Sequence, residues 1–107
     1  MDYEAVMAML VQKCQEEAGS PFMAAIFDEG LGEILATGRN ASRIDKTRHG
    51  EMEAIAEGVR RGISNWSDLT LVTTAEPCCM CQGAILWTGF KRVVYGTSIT
   101  KLSELGW

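Results

Sequence analysis

Apolar residues at Val6, Met9, Leu10 and Cys14 recur at the three- and four-residue spacing of a helix, and Asp2 stands where its carboxylate can cap the first turn. Gly19, Ser20 and Pro21 break that pattern. Residues 22–27 then form an apolar strand-like run, 28–32 carry turn residues, and 33–37 return as a second strand, which together predict a β-hairpin. A polar, irregular stretch over 38–48 reads as a loop. From 49 to 61 the pattern is helical again, with Met52, Ile55, Ala56 and Val59 at helical spacing and Gly62 stopping it. A short β-branched strand covers 69–74. Pro77 suits the first turn of a helix reaching about Trp87. A strand over 92–95 is closed by Gly96, and 98–105 can form a last short helix. The order α-β-β-α-β-α-β puts a hairpin and a helical crossover in one sheet. That predicts an α/β fold, a three-layer α/β/α sandwich around a mixed central sheet.

At 107 residues the chain is one small domain. Its 47% hydrophobic and 22% charged residues suit a globular fold rather than a disordered one. The formal net charge is -4, and the densest basic cluster, Arg39, Arg43, Lys46 and Arg48, is interrupted by Asp45. Gripping a nucleic-acid backbone takes a basic stripe, because phosphate neutralisation supplies most of the affinity. The expected partner is therefore a small molecule, not a nucleic acid. Asp2 and Glu4 occupy the start of the chain, where a signal peptide would be basic and then apolar, and no apolar run is long enough for a membrane span. A cytoplasmic protein is expected. Of four cysteines, Cys78, Cys79 and Cys81 are crowded together, which points to metal binding more than to disulfides.

Two short motifs carry chemistry. His49-Gly50-Glu51 opens one predicted helix, and Pro77-Cys78-Cys79-Met80-Cys81 opens another about 30 residues later. Zinc accepts imidazole and thiolate readily, and Cys78 and Cys81 are spaced so that two sulfurs on one helical turn converge. A helix N-terminus lowers the cost of deprotonating them. His49 is the only histidine in the chain, so it is the candidate third ligand. Three protein ligands leave a fourth position for water, which zinc makes acidic enough to ionise near pH 7. Glu51, two residues from His49, can take a proton from that water, deliver one to a ring nitrogen, and protonate departing ammonia. H-x-E followed by P-C-x-x-C is the signature of zinc-dependent nucleobase deaminases.

The stretches Thr47-Arg48-His49-Gly50-Glu51 and Thr74-Ala75-Glu76-Pro77-Cys78-Cys79-Met80-Cys81-Gln82-Gly83-Ala84-Ile85-Leu86-Trp87 resemble the two zinc motifs of the cytidine and deoxycytidylate deaminase superfamily. Within it, the sequence is most similar to the guanine, cytosine and isocytosine deaminases that act on free bases. The likeness runs from Pro21-Phe22 through Gly38-Arg39-Asn40 to Val94-Tyr95-Gly96-Thr97-Ser98. It implies a cytidine deaminase-like fold with a five-stranded sheet, a dimer or higher homo-oligomer, and hydrolysis of the C–N bond of a cyclic amidine with release of ammonia. By the same resemblance Asn40 would bond the ring, the Gly50 backbone would hold a polar ring edge, and Phe22 would line the pocket. Met23 departs from the family, where glycine is common, and so does Met52-Glu53. The chain ends at Trp107 where relatives continue through further helices, so 1–107 is expected to be a single deaminase domain shortened at its C-terminus.

Other readings remain open. Cys78 and Cys81 could form a redox pair, or a closed zinc site with Cys14 or Cys79 as fourth ligand, giving a zinc-stabilised, non-catalytic or truncated relative. Deamination of tRNA adenosine would call for a basic surface that is missing here. Glu51 could serve only the helix dipole. Asn40 could serve only its own loop, and Phe22 the core. Trp87 and Trp107 fit packing or an interface.

Overall fold

The computed structural model describes residues 1–16 and 20–106. Helix α1 (Tyr3–Glu16) leads to β1 (Met23–Asp28) and β2 (Glu33–Arg39). Then come α2 (Gly50–Arg60), β3 (Thr70–Ala75), α3 (Cys79–Thr88), β4 (Arg92–Thr97) and α4 (Ile99–Glu104), with a single 3₁₀ turn at Trp66–Asp68 before β3. Asp2 caps α1 as expected, its Oδ1 accepting from the Ala5 N–H at 2.9 Å. The expected termination by Gly19, and Trp107 itself, lie outside the described residues.

The sheet has the order β2-β1-β3-β4. β1 is antiparallel to β2 and β3, while β3 and β4 are parallel and joined through α3, so the sheet is mixed. The pleat divides the core. Ala24 and Ile26 point with Leu69, Leu71 and Ala54 to the side covered by α2 and α3. Met23, Ala25 and Phe27 point with Val72 to the side where α1 lays down Val6 and Leu10. β1 is buried on both faces, as a strand between two helical layers must be. The predicted three-layer α/β/α sandwich is the architecture found.

Four expectations are corrected. The resemblance implies five strands, and the described residues form four. Every apolar strand-like segment of the sequence is already used, so nothing among those residues is left to pair with the outer side of β4. The inner face of α2 carries no large apolar residue that is fully buried. Gly50, Glu51, Ala54 and Gly58 are buried, whereas Val59 is 63% exposed. Close approach explains this: a Cβ on Gly38 of β2 would overlap the Ala54 nitrogen and the Gly50 carbonyl oxygen, so only small residues fit where α2 crosses the sheet. β2 accordingly runs on to Arg39, past the residue 38 at which a loop was expected. β4 likewise continues through Gly96 to Thr97. Helix α3 starts at Cys79 with Cys78 as its N-cap, which leaves Pro77 just outside rather than in the first turn.

Candidate metal centre and active site

The two motifs meet because both helices start at the same end of the sheet. His49 is the N-cap of α2 and Cys78 the N-cap of α3, each in extended conformation. Cys81 lies in the first turn of α3 and is fully buried. The His49 Nδ1 is 3.5 Å from the Cys78 Sγ and 3.7 Å from the Cys81 Sγ. One donor atom from each of the three residues falls within 4.8 Å of the others. Among the described residues no other group of histidine, cysteine and carboxylate donors converges this way. An imidazole and two sulfurs at such separations suit zinc, whose bonds to nitrogen and sulfur are about 2.0–2.3 Å long. Cys79 is exposed and Cys14 sits on α1, and neither joins the group. No disulfide joins the described cysteines, so the redox reading has no bridge behind it.

Glu51 sits in the first turn of α2 and is 7% exposed. Burial raises its pKa above the ordinary carboxylate value, opposed by its own backbone N–H, the Cys81 thiol and the charge of His49. Burial also pushes the Cys81 thiol far up, with the Glu51 charge adding to the effect. A bound cation would reverse this local balance by stabilising thiolate.

Beside these groups opens a cavity of about 550 Å³. Phe22, Asn40, His49, Glu51 and Cys78 all line it, so five of the seven residues singled out in the sequence face one space. Cys81 lies behind His49. Gly50 is buried against β1 and β2, where an added Cβ would stand 3.3 Å from the Gly38 oxygen, the Phe22 oxygen and the Met23 Cα. Asn40 is engaged on both sides of its amide: Oδ1 accepts from the Ser42 N–H at 3.1 Å and Nδ2 donates to the Ser20 Oγ at 3.0 Å. Its loop-bracing role is therefore real, and one amide hydrogen and one lone pair remain for a ligand.

Sequence reasoning missed the rest of the lining: Ser42, Ala75, Glu76, and Ile99, Leu102 and Ser103 of α4. Glu76 could have been found from its place next to Pro77-Cys78. The α4 residues carry no chemical signal of their own; only the fold brings them over the site.

Residues 1–97 match the family model described as the cytidine and deoxycytidylate deaminase zinc-binding region. The chain belongs to this family. Among its family relatives, a probable cytosine deaminase of Schizosaccharomyces pombe is 35% identical over 96 residues, which are 88% of this chain and 57% of that protein. The guanine deaminase of Bacillus subtilis is 38% identical over 91 residues, 82% of this chain and 57% of that one. A tRNA-specific adenosine deaminase of Haemophilus influenzae is 37% identical over 101 residues, 91% and 57% of the two. This family member thus spans a little over half the length of those relatives. An X-ray structure of guanine deaminase from Bacillus subtilis superposes with a TM-score of 0.86 at 34% identity, covering 99% of this chain and 71% of that one. A shared cytidine deaminase-like fold accounts for the match.

Proposed function

We propose that this chain hydrolytically deaminates an exocyclic amine on a free nucleobase or related heterocycle of the guanine, cytosine or isocytosine type, releasing ammonia. The observation that carries the reading is the buried Glu51 carboxylate, set beside the His49, Cys78 and Cys81 group and facing an open cavity. A closed structural site would need a fourth protein donor and no access, and neither is found among the described residues.

His49, Cys78 and Cys81 would hold zinc, which when bound supplies a water made nucleophilic at neutral pH. The protein's own residues do the remaining work. Glu51 takes one proton from the attacking water and places it on the ring nitrogen beside the amine, then takes the second from the hydroxyl so added and gives it to the leaving ammonia. Its raised pKa suits a group that must both accept and donate near neutrality. Phe22 offers an apolar wall to the ring, and the free hydrogen and lone pair of the Asn40 amide read its polar edge. Gly50 supplies an N–H at the first position of α2, where no helical acceptor is available. Water leaves the ring only when these walls close on it, so pocket shape sets the substrate.

The outer faces of α2 and α3 support a homodimer or higher homo-oligomer: Val59, Leu86 and Trp87 are 63%, 79% and 93% exposed. Four cysteines with no disulfide among the described residues suit the reducing cytoplasm. No described helix is long and apolar enough to cross a membrane.

The reading is tested by ammonia release from cytosine, guanine, isocytosine, cytidine and a tRNA anticodon stem-loop, using zinc-loaded protein. Release from one of the free bases fits the proposal. Release from the stem-loop alone would transfer it to RNA, and none from any would leave a non-catalytic zinc fold.

A further inference from the structure

We propose that Glu76 is a positioning residue whose carboxylate fastens α4 in place as one wall of the substrate pocket, and so sets which heterocycle the site accepts. The inference rests on the deaminase reading above and adds a determinant of its specificity. Glu76 stands between the end of β3 and the metal-binding residues that follow Pro77. Its backbone N–H donates to the Thr97 oxygen at 2.7 Å, and its Oε1 accepts from the Ile99 N–H at 2.9 Å. The first bond ties the approach to Cys78 to the end of β4, and the second ties it to the first residue of α4. The other polar bonds described for α4 stay within the helix and its caps, such as the Lys101 N–H to the Ser98 Oγ.

The tied helix matters because of what it carries. Ile99, Leu102 and Ser103 face the cavity across from Phe22 and Asn40. Leu102 also stands, with Phe22, between this cavity and a neighbouring apolar one of about 320 Å³. A helix of six residues held by one side-chain acceptor has little else to fix its distance from the ring. Shortening Glu76 frees the Ile99 N–H and lets α4 drift, which widens the pocket without touching the metal ligands or Glu51.

The test compares wild-type, Glu76→Ala, Glu76→Gln and Leu102→Ala, each zinc-loaded, on cytosine as a one-ring and guanine as a two-ring amine. Glu76→Ala is expected to raise KM for the preferred base roughly tenfold, the loss expected for one hydrogen bond, with a much smaller change in kcat. It should also weaken the preference between the two bases. Glu76→Gln keeps an acceptor oxygen and should restore both values. Leu102→Ala should move the preference in the same direction, and it keeps the test open if Glu76→Ala fails to fold. Unchanged KM and preference in Glu76→Ala and Leu102→Ala, with wild-type turnover intact, overturn the proposal and leave the deaminase reading standing. Absence of turnover from wild-type protein on every base removes that reading, and this proposal with it.

Discussion

Cys81 is a fully buried thiol whose burial, reinforced by the nearby Glu51 charge, favours the protonated form when no cation is bound. Metal entry must therefore displace at least one proton. The sign follows directly: lowering the pH strengthens the competitor, so apparent zinc affinity should fall about tenfold per pH unit for each proton displaced. Chelator competition at several pH values between 6 and 8 measures that slope, and a flat profile would show that Cys81 is not a thiolate ligand. At this scale the sequence was most informative. His49, Glu51, Cys78 and Cys81 are residue types with few alternative uses at that spacing, and the fold brings the first and last two into one group with Glu51 beside the same cavity. Asn40 was only half legible, because its bonds to Ser42 and Ser20 depend on a loop path that no local pattern reveals.

Helix α2 meets β2 through small residues, and this contact sets where His49 and Glu51 stand. A methyl on Gly38 would overlap the backbone at Ala54 and Gly50. Gly38→Ala should therefore destabilise the fold by about 2–3 kcal/mol and weaken zinc binding as α2 is pushed from the sheet. Chemical denaturation with a parallel zinc titration checks both, and a neutral substitution would mean that α2 has slack to move. This contact also explains why the larger apolar residues of α2 do not mark its buried face. Met52, Ile55, Ala56 and Val59 have the spacing of a buried stripe, and a hydrophobic pattern cannot distinguish a core from an exposed apolar face. Ala54 and Gly58 look inert in sequence because their value lies in absent volume, which becomes visible only when two elements meet. The strands were easier: β1 is apolar from Met23 to Phe27, and its hairpin turn carries Asp28, Gly30 and Gly32, the last at a φ of 68°.

Across the whole molecule, the sandwich buries one apolar layer on each face of the sheet and still leaves Trp87 93% exposed beside Leu86. Water-exposed tryptophan beside leucine on a helix is the composition of an interface centre. Trp87→Glu should convert an oligomer to monomers with the fold and zinc site preserved. Sedimentation velocity at micromolar concentration reads this, and a wild-type protein that is already monomeric would contradict the assignment of that face. Fold class was legible because alternation of strand and helix patterns admits few layer arrangements. The order β2-β1-β3-β4 and the position of α4 over the cavity were not, since both depend on contacts between segments far apart in sequence.

The central claim is that Glu51 moves protons at a zinc centre held by His49, Cys78 and Cys81. It is tested most directly by measuring zinc content and ammonia release on the same preparation of Glu51→Gln. The amide keeps the size of the side chain but cannot accept the proton. Zinc should remain at one per chain while turnover of the wild-type substrate falls by at least about 10²–10⁴-fold, the range for loss of a general acid–base group. Full turnover with zinc in place would contradict the role of Glu51.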